Sequence, residues 1–244
     1  MRQLPNESII YFGDTARVPY GPKSPETVIR YSREITSFLE DQGVKAVVVA
    51  CNTATAHALT ALREHYGLPI VGVIEPGSRA AARATRTGHV GVIGTQGTIN
   101  SRAYERSIVA ASPDATVTAL ACPLFVPLAE EGWLDTEVTR MVAREYLGPL
   151  VEAGIDTLVL GCTHYPLLKG AIGSVVGRDV RLIDSAEETA AETAATLRER
   201  ALESVESGAV KHRFIASDAP EQFLRVGRRF LGSSIDGVET VTLG

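Results

Sequence analysis

Two short stretches hold the residues best suited to chemistry. In Leu158-Val159-Leu160-Gly161-Cys162-Thr163-His164-Tyr165-Pro166 an apolar run stops at a glycine, and a thiol, a hydroxyl and an imidazole follow. Val47-Val48-Val49-Ala50-Cys51-Asn52-Thr53-Ala54 repeats the layout, with a thiol where an apolar run gives way to a helical pattern. A cysteine at such a junction sits near a helix N-terminus, whose backbone N–H groups favour thiolate. Taken alone, either cysteine also reads as a buried structural thiol before a polar turn. Taken together, two such junctions suggest two pseudo-equivalent halves. Ligands of open α/β folds bind at the carboxyl ends of strands, so the two thiols could face each other across one cleft. Thiols on opposite sides of a carbon suit removal of a proton on one face and its return on the other. Each group then needs a pKa near the working pH, and a thiol near 8.5 is readily tuned there. His164 is placed to tune Cys162, with a capping or core histidine as the alternative. Asp14 is the matching candidate for Cys51, with a plain Asx turn as the alternative.

The elements that would position these groups alternate along the chain. Strands are expected at 8–12, 44–50, 68–74, 89–93, 116–121, 157–160, 180–183 and 213–216. Helices are expected at about 24–42, 53–66, after Glu75-Pro76-Gly77, at 99–111, from Cys122-Pro123 through Glu131, and at 135–153, 165–175, 186–203 and 219–230. The alternation predicts an α/β architecture with largely parallel sheets. The 244 residues suffice for one large or two small domains. Hydrophobic residues make up 45% and charged residues 22%, as in an ordinary globular protein, and the net charge is −5. No basic cluster favours nucleic acid, no apolar run has the length of a membrane span, and Met1–Glu7 lacks a signal-peptide core. Three dispersed cysteines do not form a disulfide framework, which predicts a reduced, cytoplasmic protein. Two cysteines and one histidine are too few and too spread for a zinc signature. No phosphate loop or dinucleotide fingerprint is present, and no lysine stands out as a Schiff-base former, so no cofactor is implied.

Five segments in order resemble the glutamate racemases of the Asp/Glu racemase superfamily. They are Tyr11-Phe12-Gly13-Asp14-Thr15-Ala16-Arg17-Val18-Pro19-Tyr20-Gly21, Ala50-Cys51-Asn52-Thr53-Ala54, Gly91-Val92-Ile93-Gly94-Thr95, Cys122-Pro123-Leu124-Phe125-Val126-Pro127 and Leu160-Gly161-Cys162-Thr163-His164-Tyr165-Pro166. The resemblance implies cofactor-independent interconversion of L- and D-glutamate, which supplies D-glutamate for peptidoglycan. It implies two similar doubly wound α/β domains with the active site in the cleft between them: 1–74 plus 184–244, and 75–183. Cys51 and Cys162 match the two catalytic cysteines, Cys51 acting on D-glutamate and Cys162 on L-glutamate. His164, Asp14 and Glu130 match supporting residues, although the neighbouring Glu131 competes with Glu130 for that placement. Pro19, Tyr20, Gly21, Asn52, Thr53, Thr95, Thr163 and His164 match substrate-holding positions. Cys122 matches a motif position without a catalytic role. Neither a metal nor a nucleic-acid or membrane partner is implied, and members are often homodimers. Related aspartate racemases tend to carry Glu where this chain has His164, which favours glutamate.

The family normally opens with a strand and a Phe-Asp-Ser-Gly-Val-Gly-Gly-type loop ahead of the part matching Leu4-Pro5-Asn6-Glu7. This sequence starts beyond that loop, so Met1 is expected to be an internal start or the mark of a truncated gene. A binding-only or impaired relative is then one alternative, and an aspartate-type racemase is another. A thiol hydrolase built on Cys162 and His164 is a third, and it leaves Cys51 without a role.

Overall fold

The computed structural model describes residues 1–204 and 210–243. Its elements alternate: β1 (Ile9–Gly13), α1 (Pro25–Asp41), β2 (Val47–Val49), α2 (Asn52–His65), β3 (Ile70–Gly72), α3 (Ile74–Ala84) and β4 (His89–Gly94) come first. Next are α4 (Gln96–Asn100), α5 (Ala103–Ala111), β5 (Thr116–Ala121), α6 (Phe125–Glu131), α7 (Glu137–Glu152) and β6 (Thr157–Gly161). Last come a 3-10 turn at Tyr165–Leu168, α8 (Lys169–Val176), β7 (Arg181–Ile183), α9 (Ser185–Glu199), β8 (His212–Ala216), α10 (Pro220–Leu231) and β9 (Glu239–Thr240).

The central sheet has the order β5-β4-β6-β7, and every pair in it is parallel. Its inner strands, β4 and β6, are buried on both faces, which is why they read as continuous apolar runs. Side chains alternate across the sheet with period 2. Ile93, Leu158 and Leu160 face a core of Phe125, Leu147, Leu150, Tyr165, Leu168 and Ile172, supplied by α6, α7, the 3-10 turn and α8. Val90, Val92 and Val159 face the opposite core, where Ala80, Ala81, Tyr104 and Ile108 come from α3 and α5. Helices on both faces of a parallel sheet make this a doubly wound unit.

The remaining strands form two smaller parallel groups, β1-β8-β9 and β2-β3. Phe12 of β1 packs on Phe38 of α1 at 5.4 Å between ring centroids, and Tyr11 packs on Phe223 of α10 at 5.6 Å. Leu59 and Leu62 of α2 close over Val47 and Ile70. Among the described strands β1 bonds only to β8 and β2 only to β3, and Tyr11 and Val48 on these strands are exposed.

Several expected boundaries change. The helix expected over 99–111 is two helices, because Arg102 between them takes a left-handed φ of +54°. The Ser101 hydroxyl accepts the Ala103 N–H at 3.1 Å and stabilises that turn. The helix expected at 165–175 opens with a 3-10 turn, since Pro166 lacks the N–H needed for a full first turn. The helix expected over 186–203 ends at Glu199, before Ala201 at a φ of +53°. Strand β9 was not anticipated, for its two residues are polar and exposed.

Candidate active site

The order of the central sheet locates a site before any side chain is considered. From β4 the chain moves to β5 on one side, then crosses back to β6 on the other. The switch point lies between the carboxyl ends of β4 and β6, the place where such sheets form a ligand crevice. Thr95 follows β4 there, and Cys162 follows β6. Gly161 is required at this point, because a Cβ on it would lie 2.6 Å from the carbonyl oxygen of Ile93. That close approach sets where the next residue, Cys162, emerges.

Cys162 is 7% exposed. Its Sγ lies 3.8 Å from Nδ1 of His164, and Nε2 of His164 lies 3.3 Å from Oε1 of Glu130. Burial opposes a charged imidazole, but Cys162 on one side and Glu130 on the other outweigh it, and His164 is pushed up to about 9. The same contact with His164 holds the Glu130 carboxyl below its usual range. Glu130 is the carboxylate that faces His164, and Glu131 is exposed. Thr163, between the thiol and the imidazole, is exposed.

Cys51 is the N-cap residue of α2 and is half-buried. Burial pushes its thiol up, while the N–H groups of Ala54 and Thr53 and the Thr53 hydroxyl pull it back down. Around Cys51 lie Tyr20, Val28 and Ala54.

Asp14 is buried and fully engaged. Both of its oxygens accept the Arg17 Nε–H at 2.9 Å, Ser217 donates to Oδ1 at 3.0 Å, and the Tyr20 hydroxyl donates to Oδ2. No hydrogen bond joins Asp14 to Cys51 among the described residues; Tyr20, which Asp14 holds, belongs to the cluster against which Cys51 packs. Burial first, and then the Asp14 carboxylate, keep the Tyr20 phenol protonated far above its ordinary range. Arg17 also pairs with Glu34 and stacks 4.1 Å over the Tyr31 ring. Pro19, after a cis peptide from Val18, is exposed. Gly21 packs on Thr95, where a Cβ would come within 2.7 Å of the threonine Cβ, and its carbonyl accepts the Gly97 N–H at 2.9 Å.

The hydroxyls of Thr53 and Thr95 lie 2.8 Å apart, and Thr98 bonds both, at 3.1 Å and 3.2 Å. Thr98 was missed by sequence reasoning. The only cue is its Thr-x-x-Thr spacing from Thr95, which N-caps α4. Asn52 accepts a hydrogen bond from Tyr104, a second residue without a sequence signal. Cys122 stands apart in the central core, where burial pushes its thiol up to about 12. The structure thus gathers Cys162, His164 and Glu130 into one chain of contacts, and Thr53, Thr95 and Thr98 into another. Asp14, Arg17 and Tyr20 form a third group on the Cys51 side. Among the described residues no three His, Cys, Asp or Glu side chains are grouped to hold a metal, and no helix is long and apolar enough to cross a membrane.

Comparison with known proteins places this geometry. The family model described as Asp/Glu/Hydantoin racemase matches residues 2–193. The chain is 58% identical over 243 residues to the glutamate racemase of Geobacter metallireducens, covering 100% of this chain and 90% of that protein. The crystal structure of glutamate racemase isoform RacE1 from Bacillus anthracis matches at a TM-score of 0.94 and 43% identity, over 99% of this chain and 90% of that one. Glutamate racemase from Francisella tularensis in complex with D-glutamate matches at 0.92 and 38% identity, over 100% and 90% of the two chains.

Proposed function

The chain belongs to the Asp/Glu/hydantoin racemase family and is an isomerase, and from that premise we propose that it interconverts L- and D-glutamate by a two-thiol route that needs no cofactor. The observation that carries the mechanism is the pair of thiols at equivalent strand–helix junctions, of which Cys162 has an imidazole beside it, with Nδ1 of His164 3.8 Å from Sγ. Cys162 serves as the base beside the His164 imidazolium, and Cys51, whose thiol burial pushes up, serves as the acid. One base and one acid is the arrangement that inversion requires. The Cys162 thiolate takes the α-proton of L-glutamate. The Cys51 thiol delivers its own proton to the opposite face of the α-carbon, leaving D-glutamate, a protonated Cys162 and a Cys51 thiolate. D-glutamate reacts in reverse from that state.

Substrate carboxylates are held by Asn52, Thr53, Thr95, Thr163 and His164 and by the Pro19–Gly21 loop. The Tyr20 hydroxyl is committed to Asp14, and the N–H groups of Tyr20 and Gly21 have no partner among the described residues. Two adjacent N–H groups beside a helix N-terminus suit an anion. Glu130 and Asp14 act as supporting acids. The first holds His164 charged, and the second fixes Tyr20 and Arg17 beside Cys51. The domains divide as 1–74 plus 184–244 and 75–183, in keeping with a central sheet drawn wholly from residues 89–183. The D-glutamate supplies peptidoglycan synthesis in the cytoplasm, and the working unit is a homodimer.

The test is racemisation followed by circular dichroism from each enantiomer, with Cys51→Ser and Cys162→Ser alongside. Loss of racemisation in both variants is expected. Racemisation that survives in either variant overturns the two-thiol route, and faster turnover of aspartate overturns the substrate assignment.

A further inference from the structure

Tyr104 is 2% exposed, yet its hydroxyl reaches a polar partner 52 residues away in the chain. It donates to Oδ1 of Asn52 at 2.7 Å. Asn52 directly follows Cys51. The other side of the ring lies against Gly161, the residue directly before Cys162, where a Cβ would come within 3.1 Å of Cε2. At Gly77 of α3 a Cβ would stand 3.5 Å from the hydroxyl. One side chain therefore touches both strand–thiol junctions. The left-handed turn at Arg102, secured by Ser101, rotates α5 so that Tyr104 enters this gap.

A carboxamide has a donor end and an acceptor end of almost the same size, and its hydrogen bonds alone decide which end points where. Tyr104 stays protonated, since burial pushes its phenol far up against the pull of the Ser185 hydroxyl. Its one proton is given to the oxygen of Asn52. The amide nitrogen of Asn52 has no partner among the described residues. It is also absent from the buried polar atoms that are sealed off without one, which are Arg17 Nη2, Ser78 Oγ, Thr157 Oγ1 and His212 Nδ1. Its two N–H donors are therefore left without a protein partner among the described residues, on the residue that follows Cys51. Without the Tyr104 hydroxyl the amide is free to put its oxygen in their place, where it would repel a carboxylate.

We infer that Tyr104 is a positioning residue that locks the Asn52 carboxamide with its NH2 toward the substrate carboxylate, tying substrate affinity to the packing between the two thiol junctions. This rests on the assignment of Asn52 to substrate binding. It makes Tyr104 a determinant of affinity for both enantiomers, because the carboxylate lies on neither of the faces that distinguish them.

Tyr104→Phe keeps the buried ring and removes only the hydroxyl. The experiment measures the dissociation constant of D- and of L-glutamate by calorimetry, and KM and kcat by racemisation. The proteins are wild type, Tyr104→Phe, Asn52→Ala and the double variant, with thermal melting as a control for folding. The expected result for Tyr104→Phe is about tenfold weaker binding and about tenfold higher KM for both enantiomers. kcat should stay within about threefold, and the melting temperature near that of wild type. In the Asn52→Ala background the same substitution should change neither constant. Full retention of affinity in Tyr104→Phe overturns the inference. So does an equal loss with and without Asn52, which would make Tyr104 a structural residue only, and so does a wild-type chain that binds neither enantiomer. Wild-type protein that binds glutamate without racemising it would refute the two-thiol reaction, and the binding cycle would still decide the role of Tyr104.

Discussion

Replacing Glu130 with Gln keeps the size of the side chain and deletes its charge. In the native site His164 titrates at about 9 against an ordinary 6.5. At about 1.36 kcal/mol per pH unit, this rise represents about 3 kcal/mol of preference for the imidazolium. Burial works against that preference, so Cys162 and Glu130 together supply more than the net amount. If they share it comparably, deletion of the Glu130 charge removes about 2 kcal/mol, and His164 should titrate below about 8. At pH 8 the imidazolium then changes from the dominant form to the minor one. The assay is the pH titration of the histidine ring signals by NMR, with His164→Asn assigning one signal among the five histidines. Racemisation should follow, with the alkaline limb of the rate profile moving toward acid as Cys162 loses its cation. The two enantiomers have equal free energy, so kcat/KM must remain equal for both, and any asymmetry appears in kcat and KM together, in the same proportion. A His164 that titrates near 6.5 in the wild type, or that stays near 9 in Glu130→Gln, would refute the reasoning.

Other substitutions probe the same frame. Gly161→Ala forces a Cβ onto the Ile93 carbonyl at 2.6 Å. It should cost about 1–3 kcal/mol of stability and more than tenfold in kcat, checked by thermal melting and racemisation; a variant with native melting and turnover would show that the sheet yields there. Arg229 of α10 donates from Nη1 to the carbonyls of Ala129 at 2.7 Å and Glu130 at 3.0 Å, across the last turn of α6. Arg229→Ala should loosen that turn and lower the His164 titration less than Glu130→Gln does, while Arg229→Lys should recover part of the loss by the same NMR measurement. Burial opposes the charge of Asp156, but the Thr85 hydroxyl and the Arg86 and Thr87 N–H groups outweigh it and hold the carboxyl far below its ordinary 3.8. The stability it confers is therefore complete above about pH 4 and declines as pH falls through its folded value. Asp156→Asn should lose about 2 kcal/mol at pH 7 in denaturant unfolding and show a weaker acid dependence than the wild type.

The fold was largely legible because the inner strands of the central sheet are buried on both faces and so announce themselves as apolar runs, Val90–Ile93 and Leu158–Leu160, while the β-branched run Val47–Val49 marks a strand exposed on one face. The glycine after Leu160 was legible only as a breaker. That it must be glycine depends on the carbonyl of Ile93, which is remote in sequence. The break at Ser101-Arg102 was invisible because neither residue is a usual helix stop. A left-handed arginine is tolerated there by a hydroxyl cap and by the buried position it gives Tyr104. The choice between Glu130 and Glu131 could not be made from spacing, since adjacent helical residues differ by 100° in direction and only one can face His164. Most of the proposed substrate positions came from motif resemblance, because Thr53, Thr95 and Tyr20 belong to separate elements and nothing local marks their convergence. Asp14 was read as a tuner of Cys51, whereas Arg17, Tyr20 and Ser217 absorb its hydrogen-bonding capacity.

The two thiols are alike in local structure but not in their surroundings, and the difference bears on how one site can run a symmetrical reaction. Cys162 has a titratable partner beside it, so its negative charge can be met by an imidazolium whose own pKa rises with that charge. Cys51 has none at hydrogen-bond distance among the described residues. Its stabilisation comes from the fixed dipoles of the α2 N-terminus and the Thr53 hydroxyl, and the Asp14 carboxylate is paired with Arg17. A site with two mobile cations would let both thiols ionise together, and a site with none would let neither do so. On the two-thiol route proposed above, one mobile charge and one fixed field would leave the site with a single thiolate, whose location shifts as the proton crosses the substrate. In that arrangement His164 and Glu130 set the resting state, and the α2 N-terminus sets how readily the opposite state is reached. Weakening the pair should therefore shift the balance between the two thiolate forms before it abolishes turnover. Selective alkylation of Cys51 against Cys162, followed by peptide mass spectrometry across pH in Glu130→Gln, would reveal that shift as a rise in the Cys51 share. An unchanged ratio would mean that the two thiols titrate independently.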